Sequence, residues 1–277
     1  MSAPPLLVCV AAAALYALGG HGRVGGAGRG RRRRDAAFYS GVLVLLAALE
    51  PPVDTLADRS FAMHMTQHVL LLTVAPPLLL LGRPWPRMWM PFPPTARRAA
   101  ARGLAHGRST AWLRLAGRTL ARPPVALAAM SAALAVWHLP ALYDAAIESG
   151  AVHVLEHLSF VGTALLFWGP LLEAPPVRAR VDHLRRAAWF ALACLPGWVL
   201  ALVLAYASTP LYAAYASLPH RPGGLSALGD QQVAAGVMWV PGSLPYLVAA
   251  VFFVYRWLEP GPGAPAAEPR PEELSWT

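Results

Sequence analysis

Five histidines occur within apolar stretches of the sequence, and four of them form two pairs with the same spacing. His64 and His68 stand just before a run of leucines, and His153 and His157 open a later apolar stretch. Residues four positions apart lie on the same face of an α-helix. Two imidazoles on one helix face can hold a single metal ion, as in the helical HExxH arrangement. The spacing therefore predicts a metal site built by two helices.

A fifth histidine and several neighbouring side chains add donors of other kinds. Methionine thioethers suit Cu(I), and imidazole suits copper in either oxidation state. A carboxylate next to a histidine can orient the imidazole ring. The predicted metal ligands are His64, His68, His138, His153 and His157. Further candidates, either as ligands or as partners that orient the ligands, are Met63, Met65, Glu156, Gln231 and Met238.

The elements that must position these side chains are predicted to be membrane-spanning helices. The chain is 56% hydrophobic and only 13% charged, whereas soluble domains carry about 25% charged residues. We predict an all-α integral membrane bundle, a single domain over residues 1–257, followed by a Pro/Gly/Glu-rich, disordered cytoplasmic tail over residues 258–277. A span needs roughly 20 apolar residues. Seven spans are predicted, at about residues 4–20, 36–52, 60–81, 123–142, 150–172, 187–208 and 231–257.

Prolines should disturb two of these spans. Pro76 and Pro77 lie inside the third span, and proline lacks the N–H that a helix interior needs. We therefore expect the third span to bend. The segment VPGSLP at 240–245 predicts a kink or a break in the seventh span.

The distribution of arginine predicts the orientation of the bundle. The sequence contains no lysine; nineteen arginines fall in the loops after spans one, three and five, and two fall in the alternate loops. Positively charged loops stay in the cytoplasm. We therefore predict a multi-pass protein of the bacterial inner membrane with its N-terminus outside and its C-terminus inside. Arginines placed between apolar runs favour the lipid bilayer as partner and exclude nucleic acid.

This orientation puts the five predicted histidine ligands at one depth. They lie in the outer parts of spans three, four and five, within roughly 4–12 Å of the helix ends at the usual rise per residue. Ionisable groups inside a span are costly and are usually functional. The alternative is that the histidines only form hydrogen bonds between helices. Trp137 and Tyr143, in the same region, are interpreted as anchors at the membrane interface.

Two further features of the sequence, a long basic loop and two cysteines, are interpreted without a role in metal binding. The long inner loop at 82–122 mixes arginines with Leu104, Trp112 and Leu115, which is typical of a basic amphipathic helix on the inner leaflet. A loosely structured basic loop is the alternative. Cys9 and Cys194 both lie in apolar runs without a CxxC motif, so we interpret them as buried side chains rather than as a redox or disulfide pair.

Three ordered blocks of the sequence resemble a known family. They are HMTQHVLLLTVAPPLLLLGRP at 64–84, WHLPALYDAAIESGAVHVLEHLSFVGTALLFWGPL at 137–171 and DQQVAAGVMWVPG at 230–242. These blocks look like those of the CtaG family, membrane proteins linked to assembly of caa-type cytochrome c oxidase, and the similarity extends from about residue 36 to residue 257. The resemblance implies a role in maturing the copper-containing oxidase by handling copper. The histidine pattern of the family falls on His64, His68, His138, His153 and His157.

We therefore expect a non-enzymatic assembly factor that binds copper near the periplasmic face, with cytochrome c oxidase subunits as partners. One alternative is a haem-binding or haem-handling protein with paired histidines as axial ligands, which would show a Soret band. A membrane metallo-oxygenase is a second alternative, although the sequence has no dense HxxHH cluster. A copper transporter is disfavoured because the inner halves of spans three to five are apolar.

Overall fold

The computed structural model describes residues 3–20, 28–175 and 181–259, and these form helices and turns without a strand. The all-α prediction is confirmed. From residue 260 onward the predicted tail lies outside the described residues, as do Arg23, Arg178 and Arg180. The α-helices are α1 (Ala3–Leu18), α2 (Arg29–Leu49), α3 (Val53–Ala57), α4 (Phe61–Val69), α5 (Ala75–Leu81), α6 (Pro84–Met88), α7 (Pro94–His106), α8 (Ala111–Leu120), α9 (Pro123–Trp137), α10 (Pro140–Glu148), α11 (Gly150–Leu171), α12 (His183–Tyr206), α13 (Ala213–Ala216) and α14 (Ala227–Leu258).

Four helical segments among the described residues are long and apolar enough to cross a membrane. They are the continuous segment Phe61–Leu81, which contains α4 and α5, and the helices α11, α12 and α14. A fifth candidate arises if α8 and α9, which meet at 82°, form one bent span. Helix α1 is shorter, with 16 residues, and α2 begins within the arginine run. The apolar helices thus indicate a membrane protein, while the seven-span topology stays a prediction.

A π-helical turn joins α4 to α5 at Leu70–Val74, directly after the first histidine pair. The Leu72 carbonyl would normally accept from residue 76 in an α-helix or from residue 77 in a π-helix. Both positions are proline, so the backbone of this helix offers the Leu72 carbonyl no donor. The indole Nε1 of Trp168 on α11 donates to it instead, at 3.3 Å. The prolines are therefore accommodated by a contact with the helix that carries the second histidine pair.

The fourth predicted span is too long at its carboxyl end. Helix α9 stops at Trp137 and His138 forms its C-cap, while α10 begins separately at Pro140. Leu139 is extended, with φ −67° and ψ 128°, because the residue before a proline avoids the helical region. His138 therefore terminates a helix instead of continuing one.

Of the kink or break expected in the seventh span, the break is absent, and the kink stays a prediction. Helix α14 runs as one helix through Pro241 and Pro245. The hydroxyl of Ser243 donates to the Trp239 carbonyl and accepts from the indole of Trp198 on α12 at 2.6 Å. The Trp198 bond joins α14 to α12 between the two prolines, whereas the carbonyls that lose their helical donors are those of Val237 and Pro241.

The helices that carry the histidines belong to one packed unit. Its core joins α4, α9, α11, α12 and α14 and includes Phe160, Phe190 and Tyr246. Helix α14 packs along α12 and against α4, and α11 packs against α9. A smaller core joins α1 to α2, where Tyr16 and Phe38 stack with ring centroids 3.8 Å apart.

The long basic loop contains three helices, α6, α7 and α8, so its helical interpretation is confirmed. Trp112 and Leu115 on α8 are exposed, as expected for a helix that presents an apolar face to a lipid surface. Association with the inner leaflet stays a prediction.

Replacing Trp168 by phenylalanine should destabilise the protein by about 1–3 kcal/mol, because the Leu72 carbonyl is then buried without a donor. The free energy of unfolding in detergent measures the effect, and Trp112→Phe at an exposed position is the control. A double-mutant cycle with Pro76→Ala separates the hydrogen bond from lost packing. The alanine N–H can serve the Leu72 carbonyl, so the Trp168→Phe effect should shrink in that background. An unchanged effect would mean that the indole acts through packing alone.

Candidate metal centre

The first histidine pair forms the centre of the candidate site. His64 and His68 lie on one face of α4 and are 1% and 2% exposed. Their Nε2 atoms are 2.8 Å apart. Both rings therefore point one nitrogen at the same place, as the spacing predicts.

A tyrosine that sequence analysis did not single out fixes the protonation of His64. Tyr215, on α13, donates its hydroxyl proton to the Ala57 carbonyl at 2.6 Å. Its oxygen lies 2.7 Å from Nδ1 of His64. A hydroxyl has one proton to donate, so the tyrosine oxygen must accept from His64 Nδ1–H. The Nε2 atom of His64 then carries the lone pair and accepts from Nε2–H of a neutral His68 at 2.8 Å. For both Nε2 atoms to bind one cation, His68 must carry its proton on Nδ1, which has no partner within the described residues.

Helix α11 brings a carboxylate and one further imidazole to the same place, and it carries His153 beside them without placing it in the group. His64, His68, Glu156 and His157 are all buried, and each offers a ligand atom within 4.8 Å of those of the others. Glu156 Oε1 lies 3.5 Å from His68 Nε2, and Oε2 lies 4.0 Å from His153 Nε2. Neither Glu156 oxygen, nor Nε2 of His153 or His157, has a hydrogen-bond partner within the described residues. A buried carboxylate without a donor is costly, and a bound cation would offset that cost.

His138 lies on the other side of His68, with ring centroids 5.9 Å apart, and is not part of the four-residue group. Its Nδ1 contacts the Leu134 carbonyl at 2.7 Å, and its Nε2 contacts the sulfur of Met65 at 3.2 Å. A carbonyl only accepts, so Nδ1 carries the proton and Nε2 of the neutral ring directs a lone pair at the thioether. The predicted ligands thus separate into a histidine–carboxylate group and a histidine–methionine pair.

Asp230 on α14 positions the start of α4. Its carboxylate accepts from the Ser60 hydroxyl at 2.8 Å, from Phe61 N at 2.7 Å and from Ala62 N at 3.2 Å. These N–H groups have no partner inside the helix, and a negative charge at a helix N-terminus is favourable. Asp230 is only 1% exposed. The contact therefore fixes the helix turn from which His64 projects.

Aromatic rings close one side of the site. Tyr143 is fully buried, with its ring 5.3 Å from His64 and 4.1 Å from Tyr212. Its interpretation as an interface anchor is therefore wrong, because α10 folds it inward over the histidines. Tyr212 donates to the His138 carbonyl at 3.1 Å, so it fixes the backbone of that residue. Tyr143, between Leu142 and Asp144, offers no sequence signal that separates an interface anchor from a ring packed over the site.

The remaining candidates lie in different settings. The Gln231 amide is used by backbone, since its oxygen accepts from Leu211 N at 2.8 Å and its nitrogen donates to the Leu204 carbonyl at 3.0 Å. Met238 is buried and lines a cavity together with Met65 and His68. Met63 is partly exposed. Among the three methionine candidates, Met65 contacts a predicted histidine ligand, His138, through its sulfur.

Acidic side chains lie beside the site near its surface. Burial raises the pKa of the Asp58 carboxyl, and the nearby Asp54 raises it further, while His153 and Arg59 oppose the rise. Asp54 also accepts from the Gln67 amide at 3.2 Å. Carboxylates near the entrance of a site raise the local concentration of cations.

The two donor sets suit different metal ions. Three imidazoles and a carboxylate are nitrogen and oxygen ligands, which suit Zn²⁺ or Cu²⁺. An imidazole with a thioether is softer and suits Cu(I). The donor sets are therefore compatible with copper in either oxidation state and with Zn²⁺.

Comparison with known proteins agrees with the architecture. The family model described as "Cytochrome c oxidase caa3 assembly factor (Caa3_CtaG)" matches residues 3–259. Proteins of Mycobacterium bovis ("Uncharacterized protein Mb0105") and Mycobacterium tuberculosis ("Uncharacterized protein MT0111") are each 23% identical to the chain over 231 residues. That alignment covers 81% of this chain but 34% of each relative, so the chain spans about a third of their length. None of the solved structures is a significant match.

Replacing Asp230 by asparagine should destabilise the protein by about 0.5–2 kcal/mol, because the amide loses the charge and one acceptor oxygen at the N-terminus of α4. Asp182→Asn is the matched control, since Asp182 caps α12 through Arg185 N at 2.8 Å with a side chain that is 55% exposed. Thermal unfolding in detergent should show a smaller loss for the control. Equal losses would mean that the buried contact of Asp230 contributes no more to stability than the exposed cap formed by Asp182.

Proposed function

The chain belongs to the cytochrome c oxidase caa3 assembly factor family, and on this premise we propose that it binds copper as cargo and assists insertion of a copper centre into the oxidase. In this proposal the protein is a non-enzymatic factor whose partners are oxidase subunits and the lipid bilayer. Copper is received and released near the periplasmic face. The family supports the link to the oxidase, and the donor chemistry of the site supports the link to copper.

One observation carries the copper proposal. Four side chains that ligate metals, His64, His68, Glu156 and His157, are buried with their ligand atoms within 4.8 Å of one another. Burial of a charged carboxylate is tolerated when it is paired or coordinates a metal. Hydrogen bonds between helices alone do not explain the group, because both Glu156 oxygens lack donors within the described part of the chain.

Each residue has a distinct part in holding the ion. His64 and His68 supply Nε2 atoms that already face one another. Tyr215 holds the Nδ1–H of His64 and so keeps the lone pair on Nε2, as partners of ligating histidines commonly do. Glu156 supplies negative charge, which neutralises part of the charge of the ion. Because the ligands are neutral imidazoles and one carboxylate, protons compete with the metal.

The same geometry supports an ion better than a haem. Two histidines that ligate a haem iron stand on opposite faces of a wide macrocycle. His64 and His68 instead share one helix face with their Nε2 atoms 2.8 Å apart. A visible spectrum of the purified protein tests this choice directly, because bound haem produces a Soret band and copper in this site does not.

Replacing His64, His68 and His157 together by alanine should abolish copper-dependent support of the oxidase. The single change His157→Ala should weaken loading by at least the roughly 10–100-fold typical of residues that only orient ligands. Glu156→Gln should have a milder effect, since the amide oxygen remains a neutral ligand. The measurement is oxidase activity and copper content, under copper limitation, in a strain that lacks the protein and carries each variant at matched expression.

Added copper should partly restore the single variants by mass action, and His106→Ala, at an exposed position at the end of α7, should behave as wild type. Full activity with the triple variant under copper limitation would contradict copper handling. The protein would then be better described as a scaffold for oxidase subunits.

We further propose that all seven predicted spans cross the membrane with the N-terminus outside. Helices cover each predicted segment, and the arginine distribution supports the orientation. Helix α9 has 15 residues and is about 22 Å long, against a hydrocarbon thickness of roughly 30 Å. Short helices of this kind are accommodated by local thinning of the bilayer and by flanking arginines.

Reporter fusions test this topology. Fusions at residues 30, 100 and 180 should be cytoplasmic, and fusions at residues 55, 146 and 220 should be external. A fusion at residue 100 that reports an external position would contradict the orientation and would move the histidines to the cytoplasmic side.

A further inference from the structure

A sulfur-lined cavity lies directly below the histidine group. It has a volume of about 50 Å³, and its lining includes His68 together with Met65, Met130, Cys194 and Met238. The four sulfur-containing residues come from α4, α9, α12 and α14, and all are buried. Single methionines in a core are ordinary packing. Four sulfur side chains from four helices around one cavity, with an imidazole among them, are a chemically specific set.

The second observation concerns His138, which is buried at 6% exposure. Its Nδ1 proton is used by the Leu134 carbonyl, so the lone pair of Nε2 is directed at the Met65 sulfur, 3.2 Å away. Both atoms are electron-pair donors in the neutral state. Two ligand atoms, each about 2.0–2.3 Å from one shared ion, can lie at such a separation with little movement. A soft cation between the His138 nitrogen and the Met65 sulfur would be bound by both lone pairs, which otherwise repel each other.

We propose that His138, Met65 and the sulfur-lined cavity form a second metal site that holds Cu(I), distinct from the histidine–carboxylate group. This inference rests on the proposed function and specifies the oxidation state of one bound ion. Thioether and thiol ligands select Cu(I) over Zn²⁺ and over harder ions. The group formed with Glu156 has the opposite preference.

His68 lies between the two sites and borders both of them. Its ring lies 5.7 Å from that of His157 and 5.9 Å from that of His138, measured between centroids. An ion in either site is therefore close to the same imidazole. The Met130 sulfur accepts from the Tyr246 hydroxyl at 3.5 Å. Within the described residues, the sulfurs of Met65 and Met238 accept no hydrogen bond from a hydroxyl.

The test uses the purified full-length protein in detergent, loaded anaerobically with Cu(I) alone. Copper X-ray absorption should show sulfur neighbours at about 2.3 Å. The double variant Met65→Leu/Met238→Leu keeps side-chain volume. It should lose the part of this scattering that Met65 and Met238 contribute, and it should bind Cu(I) at least tenfold more weakly. Its affinity for Zn²⁺, measured separately, should change less than twofold. Met90→Leu, at an exposed position, is the matched control.

Glu156→Gln/His157→Ala is the reciprocal variant. It should weaken Zn²⁺ binding at least tenfold and retain the copper–sulfur scattering. Wild-type protein labelled with selenomethionine provides a measurement that needs no substitution, since selenium absorption should then report a copper neighbour.

A Cu(I) spectrum of the wild type without sulfur neighbours would overturn the proposal, as would sulfur scattering that is undiminished in the methionine double variant. Failure of the proposed function is a separate result. It would appear as full oxidase activity with the triple histidine variant, even if copper–sulfur scattering were present. The two outcomes therefore cannot be confused.

Discussion

Imidazoles and carboxylates lose their water when a helix bundle closes around them, and each must then find another polar partner or an ion. In this protein the partners on one edge of the cluster are a tyrosine hydroxyl and backbone carbonyls. His64 is held through Tyr215 and the Ala57 carbonyl, and His138 is held by the Leu134 carbonyl. On the inner side no such partner is provided for the Glu156 oxygens within the described residues. The rings of His64 and His138 are thus oriented through Nδ1, while Nδ1 of His68 and both Glu156 oxygens have no hydrogen-bond partner within the described residues.

The same constraint governs the backbone of the helix segment that carries the first histidine pair. Its first N–H groups are taken by the carboxylate of Asp230 on α14, and the carbonyl that Pro76 and Pro77 leave without a donor is taken by Trp168 on α11. Hydrogen bonds are worth most where water is absent. Two neighbouring helices therefore hold this segment on either side of His64 and His68, so the rings are positioned by contacts made outside the cluster.

Local periodicity was sufficient to predict the helices and the shared face of each histidine pair, because a spacing of four residues fixes relative direction on one helix. It could not predict how His138 separates from the other histidines. That result depends on α9 ending before Pro140, a signal present in the sequence, and on the contact of His138 with Met65 across 73 positions. The roles of Tyr215 and Asp230 likewise rest on contacts across more than 150 positions, about which spacing carries no information.

Depth within the bundle argues for exchange of metal at one surface. His64 and His157 lie roughly 4–11 Å along their helices from the first residues of α4 and α11, at the usual rise per residue. The loop helices α3, α10 and α13 gather at this same end, through contacts of α3 with α4 and of α10 with both α11 and α13. Farther along the same helices the core is closed by fully buried apolar rings, among them Phe160 and Phe167. Beyond the histidines and the sulfur-lined cavity beside them, a charged ion would meet apolar surroundings without ligands. In the proposed function, an ion held by the cluster therefore returns to the face from which it came, as delivery to a partner protein at that face requires and as transport across the bilayer does not.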